Sequence, residues 1–211
     1  MALDDPAFTA VLAEYTTRLI EEDKLLHDPG TVIAELDVDS LLIPVGEEVG
    51  RLMHAMVVGL KARTIVELGT SYGYSTLFLA DAAAATGGRV YSYDVAANKQ
   101  AHARAQLERA GLAGLVDFRL GDAVALLDSQ PGPVDFVLMD LWKDLYIPCL
   151  HKVAPLLGPS GTILADNMIF PPNSRPDADA YRAAVRAMPG MQASLLPIGN
   201  GIDIAVKQGF V

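Results

Sequence analysis

Cysteine is almost missing from this sequence: Cys149 stands alone among 211 residues. A lone cysteine has no intrachain partner, so no disulfide framework or oxidising compartment is indicated. Long apolar runs are missing too. The richest stretch, Leu52 to Leu60, falls far short of the roughly 20 residues that span a bilayer. The first residues, Met1-Ala2-Leu3-Asp4-Asp5-Pro6, are acidic and lack the basic and apolar regions of a secretory signal, so a soluble, cytoplasmic protein is expected. Positive charge is scarce: 16 Lys and Arg stand against 26 Asp and Glu, a net charge of −10. That balance repels nucleic-acid backbones and anionic membranes and favours a small neutral or cationic ligand.

What is present is apolar residues at 51% against 20% charged, enough to fold one core. From Asp5 to Leu26, Phe8, Val11, Leu12, Tyr15, Leu19 and Ile20 recur at helical steps, and Asp28-Pro29-Gly30 ends that helix. Thr31–Val38 is expected as a short helix, and Gly46–Leu60 as another, with Val49, Leu52, Met53, Met56, Val57 and Leu60 along one face. After Lys61 the pattern changes to β-branched runs at Thr64–Leu68, Arg89–Asp94, Val116–Leu120, Asp135–Asp140 and Gly161–Asp166. They alternate with helical stretches at Ser75–Ala85, Ala97–Ala110, Ala123–Asp128 and Asp144–Leu157, so these five strands should be parallel. Ala178–Met188 reads as a helix. Met191–Ile198 and Gly201–Val206 flank Gly199-Asn200-Gly201 as an antiparallel hairpin.

Glu67-Leu68-Gly69-Thr70-Ser71-Tyr72-Gly73-Tyr74-Ser75 leaves a strand and enters a helix. Glycines stand where a backbone turns sharply or approaches a ligand. The spacing is Gly-x-x-x-Gly and not the Gly-x-Gly-x-x-Gly of pyrophosphate sites, and acidic Glu67 suits a ligand bearing an ammonium or a sulfonium. S-adenosylmethionine carries both. Asp94 ends the next strand, 25 residues after Gly69, where a carboxylate can accept from both ribose hydroxyls. Gly121-Asp122-Ala123 follows the third strand and could frame an adenine. The plain alternative for such strand-end acids is helix capping.

Asp140-Leu141-Trp142-Lys143 closes the fourth strand and Asp166-Asn167 the fifth. On neighbouring strands about 4.8 Å apart, two carboxylates would share one hard cation. Asp140, Asp166 and Asn167 would leave the remaining positions of Mg²⁺ to water and substrate. Asp166 and Asn167 can both serve only if the strand has ended there. Lys143, one helical turn after Asp140, would have its pKa lowered by the nearby cation and become a base.

Asp140-Leu141-Trp142-Lys143-Asp144-Leu145-Tyr146, followed by Leu164-Ala165-Asp166-Asn167, resembles the cation-dependent class I S-adenosylmethionine O-methyltransferases of the catechol O-methyltransferase type. The resemblance runs from Ile43 to Val206. It implies an α/β, Rossmann-like methyltransferase fold in one domain, 1–211, with a helical N-terminal region, 1–60, and a Rossmann-like core, 61–211. The sheet would be seven-stranded and mostly parallel, with an antiparallel C-terminal hairpin and extra N-terminal helices. It also implies that Asp140, Asp166 and Asn167 bind Mg²⁺ or another divalent cation, and that Lys143 is the base. Val45, Glu67, Ser75 and Asp94 would contact the methyl donor, with Gly69, Ala123 and Asp140 beside it, and Lys143, Asn167, Trp142 and Pro171 would meet the phenolic substrate. Leu141 stands where the family has His or Ala. Leu41 replaces an aromatic that closes the catechol pocket, and Ser194 an acid that holds the second hydroxyl. Related bacterial enzymes are often dimers, and the apolar N-terminal helices offer such an interface. Two alternatives stay open: an NAD-dependent oxidoreductase, which gives the aspartate cluster no task, and a nucleoside-binding protein without catalysis. His27, His54, His102 and His151 share no spacing and are read as surface or singly bonded residues. Cys149 is read as an inert buried thiol.

Overall fold

The structure is a computed structural model that describes residues 3–27, 37 and 40–209. The chain enters through α1 (Pro6–His27), which Asp5 caps by accepting from the Ala7 amide at 2.8 Å. Phe8, Val11, Leu12 and Tyr15 on one face of α1 are buried, while Ile20 is exposed. The expected helix at Thr31–Val38 lies outside the described residues, apart from Asp37. Helix α2 (Glu47–Leu60) buries Val49, Met53 and Val57 of the expected face, while Leu52 and Met56 are half-buried and Leu60, in the last turn, is exposed.

Strands and helices then alternate: β1 (Thr64–Leu68), α3 (Tyr74–Thr86), β2 (Arg89–Asp94), α4 (Ala97–Arg109), β3 (Val116–Leu120) and the short α5 (Ala123–Leu126). After β4 (Val134–Met139) come α6 (Tyr146–Val153), β5 (Leu157–Ala165), α7 (Arg175–Ala187), β6 (Met191–Leu196) and β7 (Ile202–Lys207). The sheet has seven strands in the order β3-β2-β1-β4-β5-β7-β6. The five expected strands are parallel, and β7 runs antiparallel to both β5 and β6. Alternate strand residues feed opposite faces. Ile65, Phe136 and Leu164 pack towards α1 to α4, and Val66, Val137 and Ile163 towards α6 and α7.

Several boundaries differ from those the sequence predicts. Strand β4 stops at Met139 and β5 at Ala165, so Asp140 and Asp166 are the first residues past the ladder, and β5 begins four residues before Gly161. The long helix expected at Asp144–Leu157 is broken. A 3-10 turn over Lys143–Leu145 precedes α6, and a second over Ala154–Leu156 holds Pro155 in its first turn, where a ring without an N–H is tolerated. Helix α7 starts at Arg175, earlier than Ala178, with Pro176 in its first turn, a favoured place for proline. Among the described residues no helix is long and apolar enough to cross a membrane.

The chain runs outward from β1 to β2 and β3, then returns to β4 on the other side of β1. Loops leaving β1 and β4 therefore diverge, opening a crevice at the carboxyl ends of the strands.

Candidate active site

That crevice is a narrow cleft. One wall is residues 42–45, the other is the turn after β1 from Gly69 to Ser75, and Asp140 closes the inner end. The turn can approach Asp140 only because residue 69 is glycine. Its φ is +101°, and a Cβ there would lie 1.9 Å from the Asp140 carbonyl oxygen. The Gly69 amide donates to the Tyr93 carbonyl at 2.9 Å, and the Asp140 amide to the Leu68 carbonyl at 2.9 Å. Both ends of the crevice are thus extensions of the sheet's own hydrogen bonding.

Val45, Gly69, Ser75 and Asp140, named from the sequence, all line this cleft. Glu67 does not face it. Its side chain is fully buried beneath the turn, accepting from Ser75 Oγ at 2.6 Å, from Thr76 Oγ1 at 2.7 Å and from Ser92 Oγ. The anion expected beside the loop is instead enclosed beneath it: the hydroxyls of Ser75, Thr76 and Ser92 surround the carboxyl group, and its link to the cleft runs through Ser75. Asp94 accepts from the Ser71 amide at 2.7 Å through Oδ2 and from the Ala96 amide at 2.8 Å through Oδ1. It fixes the turn and keeps further lone pairs outward. The Gly121 amide donates to the Asp94 carbonyl at 2.8 Å, which brings the start of α5, and Ala123, to the same strand end. Asp122 caps α5 through the Val124 amide at 2.7 Å, so here the plain capping role is the observed one.

Burial lifts the Glu67 pKa to about 7 against the pull of the Ser75, Ser92 and Thr76 hydroxyls. A carboxyl group raised in the folded state contributes stability that is complete below its unfolded value and lost as pH rises through about 7. Between pH 5 and pH 8, urea unfolding should show the native chain losing up to about 3 kcal/mol relative to Glu67→Gln. Equal pH slopes for the two proteins would contradict this.

Beyond Asp140 the second constellation assembles. Met139 and Ala165 are paired across β4 and β5, so the next residues, Asp140 and Asp166, leave adjacent strand ends side by side. The Asp166 amide still reaches the Met139 carbonyl at 3.1 Å. At Asn167 the backbone takes φ +57°, turning the chain out of the strand direction, as joint service by Asp166 and Asn167 requires. Asp166 is 1% exposed. Burial raises both carboxyl groups, and the charge of Asp140 raises Asp166 further. Two carboxylates that resist joint ionisation are suited by a cation between them. Their oxygens and the Asn167 amide form a hard donor set that fits a divalent ion such as Mg²⁺. Among the described residues no group of three or more His, Cys, Asp or Glu gathers as a metal cluster.

Lys143 opens the 3-10 turn after β4, not a first turn of α-helix, and points its Nζ at the Asp166 carbonyl, 2.7 Å away. Burial lowers its pKa to about 8 although Asp140 and Asp166 oppose the shift. The lowering expected from a cation is thus already supplied by desolvation. Tyr146, absent from the residues expected at the site, supports this corner. It is fully buried, its hydroxyl lies 3.0 Å from both the Met139 and Asp166 carbonyl oxygens, and Lys143 Nζ sits 3.7 Å from its ring centroid. Its position three residues after Lys143 is the signal that could have found it.

Trp142 and Phe170 are 64% and 57% exposed, and Pro171 is exposed beside Phe170; none of the three lines the cleft. Leu141 packs against the core on the α6 side of the sheet. Ser194 lies within β6, the edge strand two places beyond β5, exposed and away from the aspartates. The residues outside the site behave plainly. His54 bonds Asp81 at 3.0 Å, His102 packs edge-on against Tyr72, and burial pushes the Cys149 thiol up to about 12.

A family profile described as a methyltransferase domain matches residues 66–168. A probable O-methyltransferase of Mycobacterium tuberculosis is 35% identical over 167 residues, covering 72% of this chain and 67% of its own. A catechol O-methyltransferase of Niastella koreensis is 31% identical over 153 residues, covering 71% and 67%. Among solved structures, a cofactor-bound M. tuberculosis protein superimposes with a TM-score of 0.75 at 26% identity, over 98% of this chain and 92% of that one.

Proposed function

Since the chain belongs to the S-adenosylmethionine-dependent O-methyltransferases of the catechol and caffeoyl-CoA type, we propose that it methylates one hydroxyl of a catechol-like small molecule with the help of a divalent cation. Family membership leaves no place for the nicotinamide oxidoreductase, and methyl transfer to a catechol separates this reading from a nucleoside binder that has lost catalysis. The observation that carries the proposal is the pairing of Asp140 and Asp166 at adjacent strand ends with the Lys143 amine 2.7 Å from the Asp166 carbonyl.

The donor occupies the cleft between Val45 and the turn from Gly69 to Ser75, its ribose at Asp94 and its adenine near Ala123. Asp140, Asp166 and Asn167 would hold the cation. When bound, it supplies Lewis-acid acidification of a hydroxyl and a template for two neighbouring oxygens. Lys143, close to half neutral near pH 8, takes the phenolic proton. The phenolate oxygen forms its bond to the methyl carbon as the bond from that carbon to sulfur breaks, leaving S-adenosylhomocysteine. Opposite charges cancel along this path, so water that would stabilise them must be kept away. Trp142 and Pro171 form the rim against which a planar ring rests, and burial of Tyr146 and Asp166 keeps the floor dry.

The test is methyl transfer from S-adenosylmethionine to a panel of vicinal dihydroxylated aromatics with Mg²⁺. Transfer is expected to fall to background in excess chelator and to return with added divalent ion. Full turnover in chelator would remove the cation from the reaction, and equal turnover of monohydroxylated rings would remove the catechol preference.

A further inference from the structure

The donor cleft has one wall that belongs to no strand or long helix. Residues 42–45 come before α2 and contain Ile43, a β-branched residue at φ +39° with half its surface exposed. A β-branched residue in that region is strained and persists only where its surroundings determine it. The restraint comes from α1. Arg18 donates from Nε to Glu22 Oε1 at 2.7 Å and from Nη2 to the Ser40 carbonyl at 2.7 Å. Glu22 uses its other oxygen, Oε2, to accept from the Leu42 amide at 2.9 Å. The same guanidinium lies 4.0 Å from the ring centroid of Tyr72 on the opposite wall, whose carbonyl accepts from Tyr15 Oη at 2.6 Å. One ion pair on α1 therefore touches both sides of the cleft.

We infer that Arg18 and Glu22 are positioning residues for the methyl donor, a latch that holds the strained wall at Ile43 against the turn at Tyr72. Neither residue lines the cleft; they act through Leu42 and Tyr72, which do. This rests on the cleft being the donor site. Arg18 is suited to the task because its planar fork reaches Glu22 and Ser40 together while its face stacks on a ring, which an ammonium cannot do. Without the latch the competent wall is populated only some of the time, and apparent donor affinity falls by that fraction.

Calorimetric titration with S-adenosylhomocysteine tests the latch without any acceptor. Arg18→Met should weaken binding about tenfold if the competent wall drops to about one tenth of the population. Arg18→Lys and Glu22→Gln, which keep some of the network, should fall between it and the native chain. In turnover the loss should appear as a raised donor KM, recovered at saturating donor, with the acceptor KM unmoved. A role confined to general stability would not produce that split. If Arg18→Met fails to fold, Arg18→Lys and Glu22→Gln carry the comparison. Titrations within twofold of native for the variants that fold would overturn the latch, as would an equal rise in both KM values. A native chain that does not bind S-adenosylhomocysteine would overturn the donor site and the latch with it.

Discussion

Replacing Lys143 by Ala should lower turnover by about 10² to 10⁴-fold, the range for a removed general base, while S-adenosylhomocysteine binds as before. The expectation rests on where the amine is held. Three features converge on Nζ: the Asp166 carbonyl at 2.7 Å, the Tyr146 ring at 3.7 Å, and burial that favours the neutral form. A neutral amine can donate one N–H to the carbonyl and still present its lone pair to a phenol. Lys143→Arg should not rescue, because a guanidinium stays protonated. Single-turnover measurements separate this from slower binding or release. Turnover of the Ala variant within tenfold of native would exclude Lys143 as the base.

Gly69→Ala should cost more than about 3 kcal/mol, well above an ordinary point change, and with it donor binding. Two independent penalties meet at this position. The backbone φ of +101° disfavours any Cβ, and the atom added would lie 1.9 Å from the Asp140 carbonyl oxygen. Neither obstacle is a movable side chain. Relief would require the turn after β1 and the end of β4 to separate, breaking the Gly69 to Tyr93 and Asp140 to Leu68 hydrogen bonds. At this chain length each kcal/mol moves the midpoint by roughly 2–4 °C, so a fall on the order of 10 °C in thermal unfolding is expected. A variant that melts with the native chain would show that the close approach is dispensable.

Strands β1, β2 and β3 can be bounded from sequence because each is a short run of β-branched or alternating aromatic residues closed by glycine or acid. The stretch around β5 is harder. Gly158, Pro159 and Ser160 fall outside the strand expected from sequence, yet they belong to β5, where the pairing is irregular: Val134 meets Leu157 and a register shift follows. At the site, the aspartates, Asn167 and Lys143 are legible because their chemistry is carried by residue type and strand-end position. Tyr146, Ser92 and the hydroxyl shell of Glu67 are not, since their roles arise from contacts between strands and helices distant in sequence. Glu67 shows the limit most clearly. Its charge is readable, but the packing that hides it is not.

The turn at Asn167 also governs the residue before it. The Asn167 amide donates to Asp166 Oδ1 at 2.6 Å, and among the described residues nothing donates to Oδ2. Asp166 therefore cannot swing away from the strand end without giving up a bond to its own backbone. The direction in which this carboxylate faces is preset by the bend itself, before anything arrives to meet it.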